Sequence, residues 1–387
     1  MKNADLTLSA GPNPVSAGVS AGLGSPIMYH YDPAFKERFR ETERMVGEIY
    51  GSDSHEIILM QGEAVLGLEA AARSLVQNGT ACLNIATGPF GKGFGYWLAG
   101  FGAELHEIET PYDEVVTGEA VDAYLMEHPE ISVVAVVHSE TPCGTLNPVW
   151  EIGPIARKHG AVTIVDCVSA WAGIDLRPKE WQLDLLVAGP QKCLGGPPGM
   201  SLLAVSDQAW AMIDANPMAP RASMLSLLDW REKWHGDGVF PYTPSVSDLN
   251  GVHAACAELL EEGLDEAIAR HQRVFDATWS GVEAMGLTTW PVSKEIGSAC
   301  VTAIRLPDEL NDEQVRDYVR ERYGVQISSG QGAGNLVRIG HLGDTARPML
   351  AVAGLAALGQ GLADLGASVD VGAGVAAAMA SLSESAG

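Results

Sequence analysis

Seven short runs of strand-like character, at 55–60, 81–86, 104–109, 131–138, 161–168, 183–188 and 200–205, recur with helical stretches or loops between them. Several are continuously apolar instead of alternating, the mark of strands covered on both faces. This pattern predicts an α/β fold: a mostly parallel seven-stranded sheet in a large domain, with helices on both sides. Ligands of such sheets bind beyond the carboxyl ends of the strands. Further strand signals at 299–305, 324–328 and 335–339, with helices at 312–322 and 348–364, predict a smaller C-terminal α/β layer. We divide the chain into an irregular N-terminal arm (1–30) free to cross to a neighbouring subunit, a large domain (31–255) and a small domain (256–387). One charged amphipathic helix is expected over Pro33–Tyr50, one long helix from Ser247 to about Met285, and a surface helix over Val371–Leu382.

The stretch Leu185–Gly199, Leu-Leu-Val-Ala-Gly-Pro-Gln-Lys-Cys-Leu-Gly-Gly-Pro-Pro-Gly, holds one lysine, Lys192, in a turn that Gly and Pro keep from becoming a helix. A lysine among apolar and rigid groups loses solvation of its ammonium, so its amine is free near neutral pH to attack a carbonyl. An ordinary surface lysine is the plainer alternative. The preceding run, Gly-Ala-Val-Thr-Ile-Val-Asp-Cys-Val (160–168), carries a single carboxylate, Asp166, which needs a cationic partner there. The protonated nitrogen of a pyridine ring would supply one, with the ring's aldehyde held by Lys192 as a Schiff base. On these residues the chain resembles the class V aminotransferases, of the fold type I pyridoxal-phosphate-dependent superfamily.

Other segments gain roles from that resemblance. Gly88-Pro89-Phe90-Gly91-Lys92-Gly93-Phe94-Gly95 follows a strand but lacks Gly-x-Gly-x-x-Gly spacing, and the family places an aromatic residue here against the cofactor ring, which implies Phe90. Val168 is implied on the opposite face. In His138-Ser139-Glu140-Thr141-Pro142-Cys143-Gly144-Thr145 the family's turn hydroxyl corresponds to Thr141, although such turns favour these residues anyway. Arg338, a guanidinium within an apolar run, matches the family's grip on the substrate carboxylate, and a structural ion pair is the alternative. Tyr29 joins the substrate-binding set on the same resemblance.

Met60-Gln61-Gly62-Glu63-Ala64-Val65 opens a helix that in most of the family starts Gly-Ser-Gly-Thr and cups the cofactor phosphate. Glu63 takes the serine position and Val65 the threonine. At ~4 Å and an effective dielectric of ~20, each pair of like unit charges costs about 4 kcal/mol, so a phosphate dianion fits badly beside Glu63. A neutral hydroxymethyl group could instead donate to it. A helix-start acid favoured by the dipole is the alternative. Phe240 also stands where many relatives have a phosphate-binding tyrosine. The pattern resembles the branch of the family that handles unphosphorylated vitamin B6 as a substrate. That branch places a second arginine in its Ser-Ser-Gly-x-Gly segment, where this chain has Ser328-Ser329-Gly330-Gln331-Gly332 in a shorter loop. Gln331 there implies weaker pyruvate binding or a different acceptor.

The resemblance implies transfer of the amino group of pyridoxamine to pyruvate or a similar 2-oxo acid, giving pyridoxal and L-alanine, as in vitamin B6 degradation. No cofactor would be tightly bound; pyridoxal and pyridoxamine would be substrates. The rivals are a conventional pyridoxal-phosphate-dependent alanine/serine-glyoxylate aminotransferase and a catalytically silent fold type I binding protein. With 49 acidic and 24 basic residues, the formal charge of −25 disfavours nucleic acid and anionic membrane as partners. No apolar run has spanning length and the start lacks a signal-peptide core, which predicts a cytoplasmic protein. The resemblance implies a homo-oligomer, a dimer or a dimer of dimers. The six cysteines show no metal or redox spacing and read as buried free thiols; the ten scattered histidines, with no His-Glu-x-x-His, predict no metal.

Overall fold

The structure is a computed structural model describing residues 4–384; the tips of the arm and of the C-terminal segment, 1–3 and 385–387, lie outside it. Strands β1 (His55–Gln61), β2 (Ala81–Ala86), β3 (Glu104–Glu109), β4 (Val133–Val137), β5 (Val162–Asp166), β6 (Leu185–Ala188) and β7 (Met200–Ser206) form one sheet. Their order is β1-β7-β6-β5-β4-β2-β3. β7 runs antiparallel to both its neighbours, and the other pairings are parallel. β4 is Val-Val-Ala-Val-Val, buried along its whole length, because β-branched side chains fit a pleated strand covered on both faces. Burying each such valine is worth roughly 1.5–3 kcal/mol, and an aspartate at Val134 would break the strand.

Helices cover the sheet. α1 (Ala17–Leu23) lies within the arm and packs on α8 (Val246–Glu262), so the arm is not irregular throughout. α2 (Pro33–Tyr50) starts at Asp32, whose side chain accepts from the Ala34 N–H, with Pro33 at its first position. Its buried face is Phe35, Phe39, Thr42, Val46 and Ile49, and Gly51 ends it in the left-handed region at φ 62°. α3 (Ala64–Leu75) and α4 (Pro89–Gly100) follow β1 and β2. The long helix expected from Ser247 is two: Gly263 at φ 92° separates α8 from α9 (Leu264–Ala284).

A three-stranded antiparallel sheet carries β8 (Val301–Arg305), β9 (Ser328–Ser329) and β10 (Leu336–Gly340) in the order β8-β10-β9. Leu6–Thr7 pairs with Val325–Gln326 beside it. A second apolar cluster, including Leu8, Ile304, Val319, Ile339 and Leu358, lies here, apart from the larger cluster around the main sheet. The final helix, Val371–Glu384, is not wholly exposed: Gly374 and Ala378 are buried against Gly281 of α9, where small residues allow close approach. All six cysteines are buried and free. No helix among the described residues is long and apolar enough to cross a membrane.

Candidate active site

Asp166 ends β5, in register with Val137 of β4 and Val187 of β6. Glu63 follows β1, Phe90 follows β2, and Lys192 comes four residues after β6 ends. The sheet therefore delivers all four to the edge where strands end. There they enclose a cavity of about 470 Å³ whose walls include Glu63, Phe90, Ser139, Asp166, Val168 and Lys192. A larger cavity, about 1210 Å³ between α2 and residues 234–238, contains none of the residues singled out in the sequence.

The Asp166 carboxylate has one hydrogen-bond donor among the described residues, the Val168 N–H at 2.9 Å. Burial pushes its carboxyl up to about 6, opposed by that N–H and by the Lys192 charge. Asp184 makes the contrast. It is fully buried where Asp166 is half-buried, and it receives Arg157 at 2.6 Å, the Thr163 N–H at 3.0 Å and the Ser206 hydroxyl at 2.9 Å. Asp184 is a finished structural network, whereas Asp166 faces a cavity with acceptor capacity to spare.

Burial, and then the nearby Arg338, push the Lys192 ammonium below the ordinary lysine range. Its Nζ donates to the Ala10 carbonyl at 2.7 Å. The arm thus folds onto the site of its own chain. Asn13 reinforces this, its Nδ2 donating to the carbonyls of Lys192 at 3.0 Å and Leu342 at 2.8 Å.

The Glu63 carboxylate accepts from the Val65 N–H at 2.8 Å, capping α3, and from the Gln191 amide at 2.6 Å. The next two amides of that helix start are also taken within the chain: Leu66 N–H by the Glu63 carbonyl at 2.7 Å and Gly67 N–H by the Ser201 hydroxyl at 3.1 Å. At the other wall α4 begins at Gly88 with no side-chain cap of its own. Buried Glu140 supplies it, accepting from Phe90 N–H at 2.8 Å and Gly91 N–H at 2.9 Å. Its carboxyl rises to about 7, with burial the leading cause.

The remaining expected residues stand elsewhere. Thr141 is buried outside the cavity wall, its hydroxyl 2.6 Å from that of Ser169, which does line the cavity. Arg338, on β10, is buried and donates to the carbonyls of Ser329 at 2.6 Å and Thr141 at 2.9 Å. No carboxylate among the described residues pairs with it within 4.0 Å, so its structural-ion-pair alternative is not realised. Desolvation lowers its pKa to about 10. Gln331 sits in the turn between β9 and β10 at φ 48°. Tyr29 is 67% exposed beside His30 and Tyr31, away from the cavity. Phe240 is buried, stacked on Trp234 with ring centroids 4.1 Å apart.

Sequence reasoning passed over Gln191, Ser169, Glu140 and Ala10. The first three lie within or next to the quoted motifs, where a short hydrogen-bonding side chain beside a catalytic candidate was the available signal. Ala10 acts through its backbone and gives no such signal.

The family model described as Aminotransferase class-V matches residues 19–353. The chain is a class V aminotransferase. It is 45% identical over 379 residues to the pyridoxamine–pyruvate transaminase of Mesorhizobium japonicum, covering 97% of this chain and 96% of that protein. The crystal structure of pyridoxamine-pyruvate aminotransferase from Mesorhizobium loti matches with a TM-score of 0.96 at 44% identity, over 99% of this chain and 98% of that one. That of ureidoglycine-glyoxylate aminotransferase from Bacillus subtilis matches at 0.92 and 27% identity, over 97% of each chain. Class V aminotransferases generally use pyridoxal phosphate. In this aminotransferase a pyridine ring fits the residues present: an under-bonded buried carboxylate, a desolvated amine and a cavity walled by Phe90 and Val168.

Proposed function

We propose that this aminotransferase moves the amino group of pyridoxamine to pyruvate or a similar 2-oxo acid, giving pyridoxal and L-alanine or its analogue, in the degradation of vitamin B6. The observation that carries this reading is at α3. Its first amides bond the chain itself, and the Glu63 carboxylate occupies the place where a phosphate would seek positive charge. The 45% identical relative is named for the same two substrates.

When bound, the pyridine ring supplies an electron sink and an aldehyde carbon. Asp166 holds a proton at the ring nitrogen. Phe90 and Val168 pack the two faces, with the α4 end steadied by Glu140. Glu63 accepts the hydrogen bond of the hydroxymethyl arm, and Gln191 fixes that carboxylate. The Lys192 amine, low in pKa, moves the proton between the two reacting carbons. Thr141 acts through Ser169 on the phenolic oxygen. Arg338 orients the acid, with Gln331 where relatives of this branch have a second cation. Tyr29, away from the cavity of its own chain, takes no part in this arrangement. Lacking a phosphate site, the protein holds no permanent cofactor and releases pyridoxal. We place it in the cytoplasm as a homodimer or dimer of dimers.

Steady-state assay of pyridoxamine against pyridoxamine phosphate, across a panel of 2-oxo acids, tests the reading. Preference for pyridoxamine, and a protein that is colourless after dialysis, are expected. Preference for the phosphate ester with a yellow band that survives dialysis would identify a conventional pyridoxal-phosphate enzyme. Failure of Lys192→Ala to abolish ligand-dependent spectral change would remove the lysine from the chemistry.

A further inference from the structure

We propose that His106, His128 and Glu130 form a binding site for a divalent transition-metal ion of the zinc type, at the edge of the main sheet and separate from the transaminase cavity. β3, which carries His106, is an edge strand. His128 caps the C-terminus of α5 (Gly118–Glu127), and Glu130 lies in the turn that leads into β4. The topology brings these three positions together, with one ligand atom from each within 4.8 Å of the others.

The geometry resembles a coordination set. His106 Nε2 stands 3.7 Å and His128 Nδ1 3.1 Å from the same Glu130 Oε1. Zinc bonds nitrogen and oxygen at about 2.1 Å, which puts neighbouring tetrahedral ligands about 3.4 Å apart, between those two distances. A hydrogen bond to Glu130 accounts for His128. It leaves His106 Nε2 buried and without a hydrogen-bond partner among the described residues. An ion would satisfy that nitrogen. On the far side of the ring the Tyr124 hydroxyl lies 3.4 Å from His106 Nδ1, where it can hold the tautomer that leaves Nε2 a free lone pair.

Two imidazoles and a carboxylate suit zinc, nickel or copper better than calcium or magnesium, which prefer all-oxygen shells. The His128 and Glu130 side chains are 35% and 49% exposed, so the fourth position opens to solvent and an ion can enter. Bound there, it would pin the end of α5 to the sheet edge. The expectation of no metal rested on the lack of a contiguous motif; ligands at 106, 128 and 130 leave no such trace.

The test uses tag-free, full-length protein stripped with a chelator, titrated with zinc chloride by calorimetry and by competition with a chromophoric chelator. One zinc per chain is expected, with affinity at least about a hundredfold weaker in the His106→Gln/His128→Gln double variant and about tenfold weaker in Tyr124→Phe. Zinc should raise the melting temperature of the unaltered protein and not that of the double variant. If the buried His106 substitution impairs folding, His128→Gln/Glu130→Gln, both nearer the surface, decides. Absence of stoichiometric binding, or binding undiminished in the folded double variant, overturns the proposal.

Discussion

The Gln191 side-chain amide donates to the Glu63 carboxylate at 2.6 Å, tying the residue before Lys192 to the start of α3. Two parts of the cavity wall, Glu63 and the segment carrying Lys192, are thereby joined by one short contact. The contact fixes the carboxylate proposed above to meet the hydroxymethyl arm of pyridoxamine.

Replacing that carboxylate should change which form of the vitamin is used. Glu63→Ser keeps a residue able to cap α3 and removes the charge. The ratio of kcat/KM for pyridoxamine phosphate to that for pyridoxamine should rise about tenfold or more. That corresponds to about 1.4 kcal/mol, well below the unscreened repulsion because Glu63 is exposed. Paired steady-state assays check it; an unchanged ratio would show that this side chain does not select the substrate.

Asp166 gives the ligand-free protein a pH-dependent stability. Its carboxyl has an ordinary value of 3.8 and rises to about 6 in the folded state. The native state therefore binds the extra proton between those values. The contribution is fully present below about pH 4 and is lost as pH rises through about 6, by at most roughly 3 kcal/mol. Melting curves of the unaltered protein and Asp166→Asn, subtracted across pH 4 to 8, should show that decline. A flat difference would place the shift elsewhere.

Gln331 already adopts a left-handed backbone at φ 48°, so Gln331→Arg introduces a cation of similar reach without new backbone strain. The KM for pyruvate should fall about tenfold, with the KM for pyridoxamine unchanged. Initial rates with each substrate varied in turn measure both.

Glu140→Ala removes both acceptors at the start of α4 and leaves the Phe90 and Gly91 amides without their partner. Stability should drop by about 1–3 kcal/mol. Because Phe90 lines the cavity where the ring is proposed to bind, the KM for pyridoxamine should also rise several-fold. Denaturant unfolding combined with kinetics checks this; lost stability with an unchanged KM would make Glu140 structural alone.

The main sheet was legible because continuous runs such as Val-Val-Ala-Val-Val have few other uses, and all seven strands fall within a few residues of their expected places. Asp166 and Lys192 stood out as charges set among apolar or rigid neighbours. The break at Gly263 did not, because helical periodicity continues through it and only the backbone angle ends the helix. Nor did α1, a short helix of small residues whose order depends on packing against α8. Glu140 was visible as a letter but not as a cap, since the amides it serves, Phe90 and Gly91, lie 50 and 49 residues earlier in the chain. Long-range partners of this kind are set by topology.

The segment from Leu8 to Ala10 has a mechanical consequence. Its Leu8 carbonyl accepts from Gly340, two residues past Arg338, and its Ala10 carbonyl holds the Lys192 nitrogen. Three consecutive residues thus act as a leash between the strand that would grip the acid and the amine that would carry the proton. The strand and the amine are therefore tethered through so short a span that, on the proposed roles, seating one reactant would bear on the group that works on the other.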